Sequence, residues 1–101
     1  MGTILLLVAA TAGITTPTSA RFECGASVVA ARFTNGRATL RVYGRTLRLG
    51  QLPAADGARY GGRAGKRAVE FWAKGNGARL TIGNRTYPQC ELAELPQGTA
   101  R

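Results

Sequence analysis

The feature that most restricts how this chain can fold is an apolar–polar alternation with a period of two, cut into short runs by glycine and asparagine. In residues 28–33, Val29, Ala31 and Phe33 share one side. Asn35-Gly36 follows, a dipeptide that tolerates positive φ at both positions and so favours the tight turn between antiparallel strands. Residues 38–43 return with Leu40 and Val42 on one side and Thr39 and Arg41 on the other, and residues 46–49 alternate through Leu47 and Leu49. A loop at 50–57 contains Pro53, and Arg59-Tyr60 leads into a glycine-rich, basic stretch at 61–66. Residues 68–72 set Val69 and Phe71 against Ala68, Glu70 and Trp72, and Gly75-Asn76-Gly77 reads as a turn. Residues 78–82 carry Leu80 and Ile82 inward, Gly83-Asn84 makes another hairpin into 85–87, and 90–92 is the last strand. With a short extended entry at 21–24, this predicts an all-β fold: a small antiparallel β-barrel of about eight short strands. So many short strands on a short chain must protect their edges, and closure into a barrel does so.

The two ends of the chain read differently from its middle. Ile4-Leu5-Leu6-Leu7-Val8-Ala9-Ala10 is an apolar run too short to span a bilayer as a helix, and Thr18 and Ala20 are small residues at the spacing of a signal-peptidase site. Residues 1–20 are therefore expected to be a signal peptide, although Met1-Gly2-Thr3 lacks the usual basic residues. The competing reading, a buried N-terminal strand or helix, is disfavoured because nothing polar interrupts the run. With no cysteine near the cleavage site, no membrane anchor is expected. Residues 21–93 are assigned to the barrel and 94–101 to a flexible tail. Cys24 and Cys90 are the two cysteines, and an even count in an exported chain predicts a disulfide closing the barrel. A loop of about 65 residues tied in this way stabilises by ~4 kcal/mol in the chain-entropy model.

Charge narrows the function. Lys plus Arg is 14 against 5 for Asp plus Glu, a formal net charge of +9, and every charged residue follows Ala20. Such a surface draws anions, yet the basic residues are nearly all Arg and are spread along the chain, which reads as dispersed solvated charge. Catalysis finds few reagents. The chain has no His, the commonest general base. A disulfide leaves no thiolate, and the acids Glu23, Asp56, Glu70, Glu91 and Glu94 offer no obvious opposed pair for glycoside hydrolysis. Two Cys without His cannot complete a zinc site, and no metal or other cofactor is expected. Gly61-Gly62-Arg63-Ala64-Gly65-Lys66 departs from the phosphate-loop pattern and precedes no helix. The chain is read as a binding protein and not an enzyme.

Two segments carry a resemblance. Ala54-Ala55-Asp56-Gly57-Ala58-Arg59-Tyr60 and Phe71-Trp72-Ala73-Lys74-Gly75, with Phe22-Glu23-Cys24 before them and Cys90 after, resemble the bacterial inhibitors of c-type lysozyme in order and spacing. That family has membrane-bound and periplasmic branches, a small antiparallel barrel, a loop of the form S-x-S-G-A-x-Y and a second motif close to F-W-[ST]-K-G. The resemblance implies a periplasmic or secreted inhibitor whose partner is c-type lysozyme, with no nucleic acid as ligand. It implies an inhibitory set of Asp56, Gly57, Ala58, Arg59, Tyr60 and Lys74. In the family the serine before Gly-Ala-x-Tyr bonds a catalytic carboxylate, and the lysine of the second motif pairs with carboxylates of the same cleft. Lys74 fits that role as a cation entering an acidic cleft. Asp56 replaces the serine, Ala54 the loop's first serine and Ala73 the Ser or Thr of the second motif. Asp56 thus sets a carboxylate against carboxylates, which disfavours joint ionisation. Lysozymes of this type are basic, so long-range repulsion from the +9 chain is also expected. Tyr60 is expected to pack beneath the loop, Gly57 to supply a backbone angle, and Phe71 and Trp72 to form core or wall. The alternative function is a basic envelope module that binds acidic polysaccharide, lipid headgroups or nucleic acid. Nothing in the sequence addresses the oligomeric state.

Overall fold

The structure, a computed structural model, describes residues 18–97, with side chains to residue 93. It contains β1 (Thr18–Cys24), β2 (Ser27–Thr34), β3 (Arg37–Val42), β4 (Arg45–Leu52), β5 (Ala58–Ala64), β6 (Arg67–Lys74), β7 (Gly77–Ile82), β8 (Arg85–Thr86) and β9 (Cys90–Gln97), and no helix among the described residues. The strands pair in the order β6-β5-β4-β3-β2-β1-β9-β7, and β6 also pairs with β7, so eight antiparallel strands close on themselves. Two-residue β8 lies outside the ring, paired to the far half of the β7 edge whose near half holds β9. Two-residue turns make most of the connections. Asn35-Gly36 and Tyr43-Gly44 have positive φ at both positions, the mirror-image turn whose twist matches the strands it joins.

Alternation decides which side chains meet. Val29, Ala31, Ala38, Leu40, Val42, Leu47, Leu49, Val69, Phe71, Ala78 and Leu80 all face inward and are buried, as the sequence pattern predicts. Phe71 is wholly buried at the centre. The Phe22 ring meets it edge-on at 5.5 Å, and Phe33 lies 6.4 Å away and 5.5 Å from Tyr60. Truncating a buried aromatic of this kind costs about 3–5 kcal/mol.

The expected disulfide joins the first and last strands. Cys24 and Cys90 are cross-strand partners in the β1–β9 ladder and are bonded, with a separation of 66 residues. Cys90 also registers with Ala78, where β7 and β9 share only two described pairs, Gly77–Glu91 and Ala78–Cys90. The covalent link therefore anchors β9 next to the seam with the shortest ladder in the ring, β7–β9.

The strand boundaries differ from the sequence pattern at three places. The glycine-rich stretch at 61–66 is mostly strand, the second half of β5. Its glycines answer a close approach of chains: a Cβ on Gly62 would stand 2.8 Å from the Arg48 carbonyl oxygen and 2.8 Å from Leu49 Cδ2. Without side chains such a strand shows no alternation. Second, β4 runs on to Leu52, which shortens the loop to residues 53–57. Third, β9 reaches Gln97, so the expected tail at 94–101 begins as strand, with Glu94 opposite Arg21 and Gln97 opposite Ser19. Backbone pairing along the β1 edge needs no apolar alternation, and Pro96 and the lack of a period-two pattern hid it. At the other end β1 begins at Thr18, with Thr18, Ser19 and Ala20 opposite Phe33, Arg32 and Ala31. The apolar run assigned to the signal peptide lies outside the described residues.

Candidate functional site

The loop at 53–57 leaves β4, crosses the outside of the barrel and re-enters as β5 beside β6. It is held at three points. At its start, Arg59 Nη1 donates to the Pro53 carbonyl oxygen at 3.1 Å. Near its end, the Trp72 indole Nε1–H donates to the Asp56 carbonyl oxygen at 3.1 Å. The Asp56 side chain then reaches Lys74, with Oδ2 2.7 Å from Nζ.

Gly57 makes this seating possible. Its φ of +69° is strained for any residue with a Cβ, and a Cβ there would lie 2.6 Å from the Ala73 carbonyl oxygen and 3.0 Å from Trp72 Nε1. The loop therefore rests directly on the β6 backbone, where Ala58 pairs with Ala73.

Alternation along β6 sorts the second segment. Phe71 points into the core, while Trp72 lies on the outer wall with 36% of its surface exposed. The Arg59 guanidinium stands over the indole at 5.7 Å and its Nε donates to Glu70 Oε2 at 2.8 Å. Arg59, Trp72 and Glu70 thus form one outer-face cluster that stiffens the base of the loop. Lys74 ends β6, before the Gly75-Asn76 turn. Its side chain is 69% exposed and that of Asp56 56%. The hydrogen bond that the ammonium donates to Asp56, and then the charge of that carboxylate, raise the Lys74 pKa above its ordinary 10.5.

The six sequence-predicted residues do not all converge. Asp56 and Lys74, with Gly57 packed beside them, meet at the rim of an open groove of about 480 Å³ that they line together with Trp72, Arg79 and Gln89. Arg59 sits behind it, braced on Glu70. Tyr60 turns inward and is buried against Phe33, as expected for a packing residue, and burial raises its phenol above the usual pKa of 10.0. Ala58 is half-buried beneath the loop. Trp72, Arg79 and Gln89 were missed as groove residues. For Trp72 the signal was present, because the alternation already placed it opposite Phe71. Arg79 lies across the β6–β7 ladder from Trp72, and Gln89 sits in an irregular stretch with no pattern to reveal it.

A family model described as membrane-bound lysozyme-inhibitor of c-type lysozyme matches residues 22–89, which takes in the end of β1, all of β2 to β8 and the whole groove. The chain belongs to this family. Comparison with curated proteins and with solved structures returned no match. The family is one of inhibitors and not of enzymes, and its description names c-type lysozyme as the target. In this member of the inhibitor family, the loop and the lysine-bearing hairpin stand side by side, joined by an ion pair between the two positions that depart from and keep the motif, Asp56 and Lys74. Among the described residues no group of three or more Cys, Asp or Glu is placed to hold a metal ion.

Proposed function

We propose that this protein acts outside the cytoplasm, in the periplasm or secreted, and blocks the active-site cleft of a c-type lysozyme with the loop at 53–57 and the adjacent β6–β7 hairpin. The observation that carries the reading is the 2.7 Å pair between Asp56 and Lys74, which brings both segments to one rim. A lysozyme cleft holds two carboxyl groups, a catalytic acid in an apolar pocket and an ionised partner. Lys74 offers the ionised one a charge-assisted hydrogen bond in a partly desolvated setting, where such bonds are strong. Asp56 can only accept when ionised, so it does not take the donor role of a serine. It instead holds the lysine and must surrender part of that pairing when an enzyme carboxylate arrives. Gly57 and the braced Arg59–Trp72–Glu70 cluster keep the loop preorganised, which limits the entropy lost on docking.

Competition tests the mode of action. A chito-oligosaccharide that fills the lysozyme cleft should displace the inhibitor, with the apparent dissociation constant rising in proportion to sugar concentration. Unchanged affinity at saturating sugar would reject cleft blocking while leaving inhibition itself to be explained by another surface.

A further inference from the structure

The outer wall of β2, β3 and β4 carries arginine without acid. From Ser27 to Leu52 the chain holds Arg32, Arg37, Arg41, Arg45 and Arg48 and no Asp or Glu. Register arranges three of them in two rows. Arg41 lies between Ala30 and Thr46, and in the next row Arg32 and Arg48 flank Thr39. Arginines in one row are thus two strand spacings apart, roughly 10 Å, and neighbouring rows are offset by one strand. The small side chains between them leave a groove of about 480 Å³, lined by Arg32, Arg41 and Arg48 and by the hydroxyls of Ser19, Thr39 and Thr46, with Arg21 at its β1 end. Arg32, Arg41 and Arg48 are exposed. None of the three has a carboxylate partner among the described residues, and Arg41 Nη1 only donates to Thr46 Oγ1 at 3.4 Å.

We propose that this groove binds a linear acidic polysaccharide, with carboxylates taken by the guanidinium groups of Arg32, Arg41 and Arg48 and sugar hydroxyls met by Ser19, Thr39 and Thr46. The planar fork of arginine matches a carboxylate in two hydrogen bonds, and gathering like charges on one wall carries a repulsion that a polyanion relieves. Cations set in a channel suit a chain better than a flat headgroup layer. No aromatic side chain lines the groove, whereas a single-stranded nucleic acid would be held by base stacking. Hydroxyls alternating with cations suit a ligand that alternates them too.

The position in the barrel gives the site a use. β2 and β6 are four strands apart in either direction round the ring, so this wall is opposite the one that carries Trp72 and Lys74. A polysaccharide held on β2–β4 leaves the loop and hairpin facing outward, and would retain the protein on an acidic polymer without occluding the other groove. The proposal rests on the arginine wall alone and stands whether or not lysozyme is inhibited.

The test is calorimetric titration of the protein with polygalacturonate oligomers over a salt series. The double variant Arg32→Ser/Arg48→Ser is compared with Arg63→Ser/Arg85→Ser, which removes the same charge from β5 and β8. The groove variant should bind at least about tenfold more weakly and with a shallower salt dependence, and the control no more than about threefold more weakly. Circular dichroism checks that each variant folds, and Arg41→Ser is the second groove variant should the double one fail. Equal losses in groove and control variants overturn the proposal, as does absence of binding to polygalacturonate. Tighter binding of phosphatidylglycerol vesicles or an oligothymidylate by the same arginines also overturns it, by assigning the wall to another partner.

Discussion

Replacing Gly57 by Ala should unseat the loop, and the structure sets the size of the effect. At φ +69° the new Cβ meets a left-handed penalty of about 1–2 kcal/mol. It would also lie 2.6 Å from the Ala73 carbonyl oxygen, which cannot retreat because Ala73 is paired with Ala58 on one side and Ala78 on the other. The loop has to lift instead, and the Trp72–Asp56 hydrogen bond at 3.1 Å breaks first, for roughly another 1 kcal/mol. The sum of about 2–3 kcal/mol corresponds to a fall in melting temperature on the order of 10–20 °C for a domain of this size. Gly75→Ala is the internal control. That residue has φ +60° but nothing within 4 Å of the place its methyl would take, so it should show only the backbone penalty, roughly half the shift. Thermal unfolding by circular dichroism, with an inhibition constant against c-type lysozyme for each variant, measures both consequences. Gly57→Ala should also lose at least about tenfold in inhibition, since the displaced loop no longer presents Asp56 beside Lys74. A melting temperature equal to that of Gly75→Ala would refute the claim that the loop rests on the β6 backbone.

Three other outcomes are expected. Asp56→Ser removes the carboxylate that occupies Lys74, and should strengthen inhibition at neutral pH by a few-fold; an inhibition constant that worsens would show that Asp56 itself touches the enzyme. Stability should fall above about pH 10: Lys74 and Tyr60 both have folded pKa values raised above their ordinary 10.5 and 10.0, so the native state holds protons that the unfolded state releases, and denaturant titrations of Tyr60→Phe should show a smaller alkaline loss than wild type. Replacing both cysteines by alanine should cost about 4 kcal/mol through a closed loop of 66 residues, read from urea midpoints; a loss under about 1 kcal/mol would mean that the β1–β9–β7 seam closes without its bond.

The barrel was legible because its inner wall is built from side chains that alternate, from Val29 through Leu80, and because turns such as Asn35-Gly36 announce themselves chemically. Legibility failed where pairing is carried by backbone alone. Gly61 and Gly62 in β5 have no side chains to alternate, and residues 93–97, with no period-two pattern and with Pro96 among them, give no sign that β1 has a free edge for them. Tyr43 reads as the end of a strand but takes φ +53° in a turn, held by a hydrogen bond between its hydroxyl and Ser27 Oγ, a pairing of residues sixteen positions apart. In the candidate site, the motif positions were visible in the sequence but their mutual pairings were not. That Asp56 would turn to Lys74, with Arg59 taken by Glu70, depends on how the loop crosses β6, and no local pattern encodes that crossing.

On the proposed mode of action, the loop and the Lys74 hairpin, and not the overall charge of the chain, engage lysozyme. The most direct measurement is the inhibition constant against a c-type lysozyme for wild type, Lys74→Ala, Arg41→Ala and Arg85→Ala at one salt concentration. Each variant removes one exposed positive charge, but only Lys74 stands at the groove rim beside Asp56. Lys74→Ala should raise the constant at least about tenfold, and either arginine variant should change it by no more than about twofold. Equal changes across all three variants would contradict it.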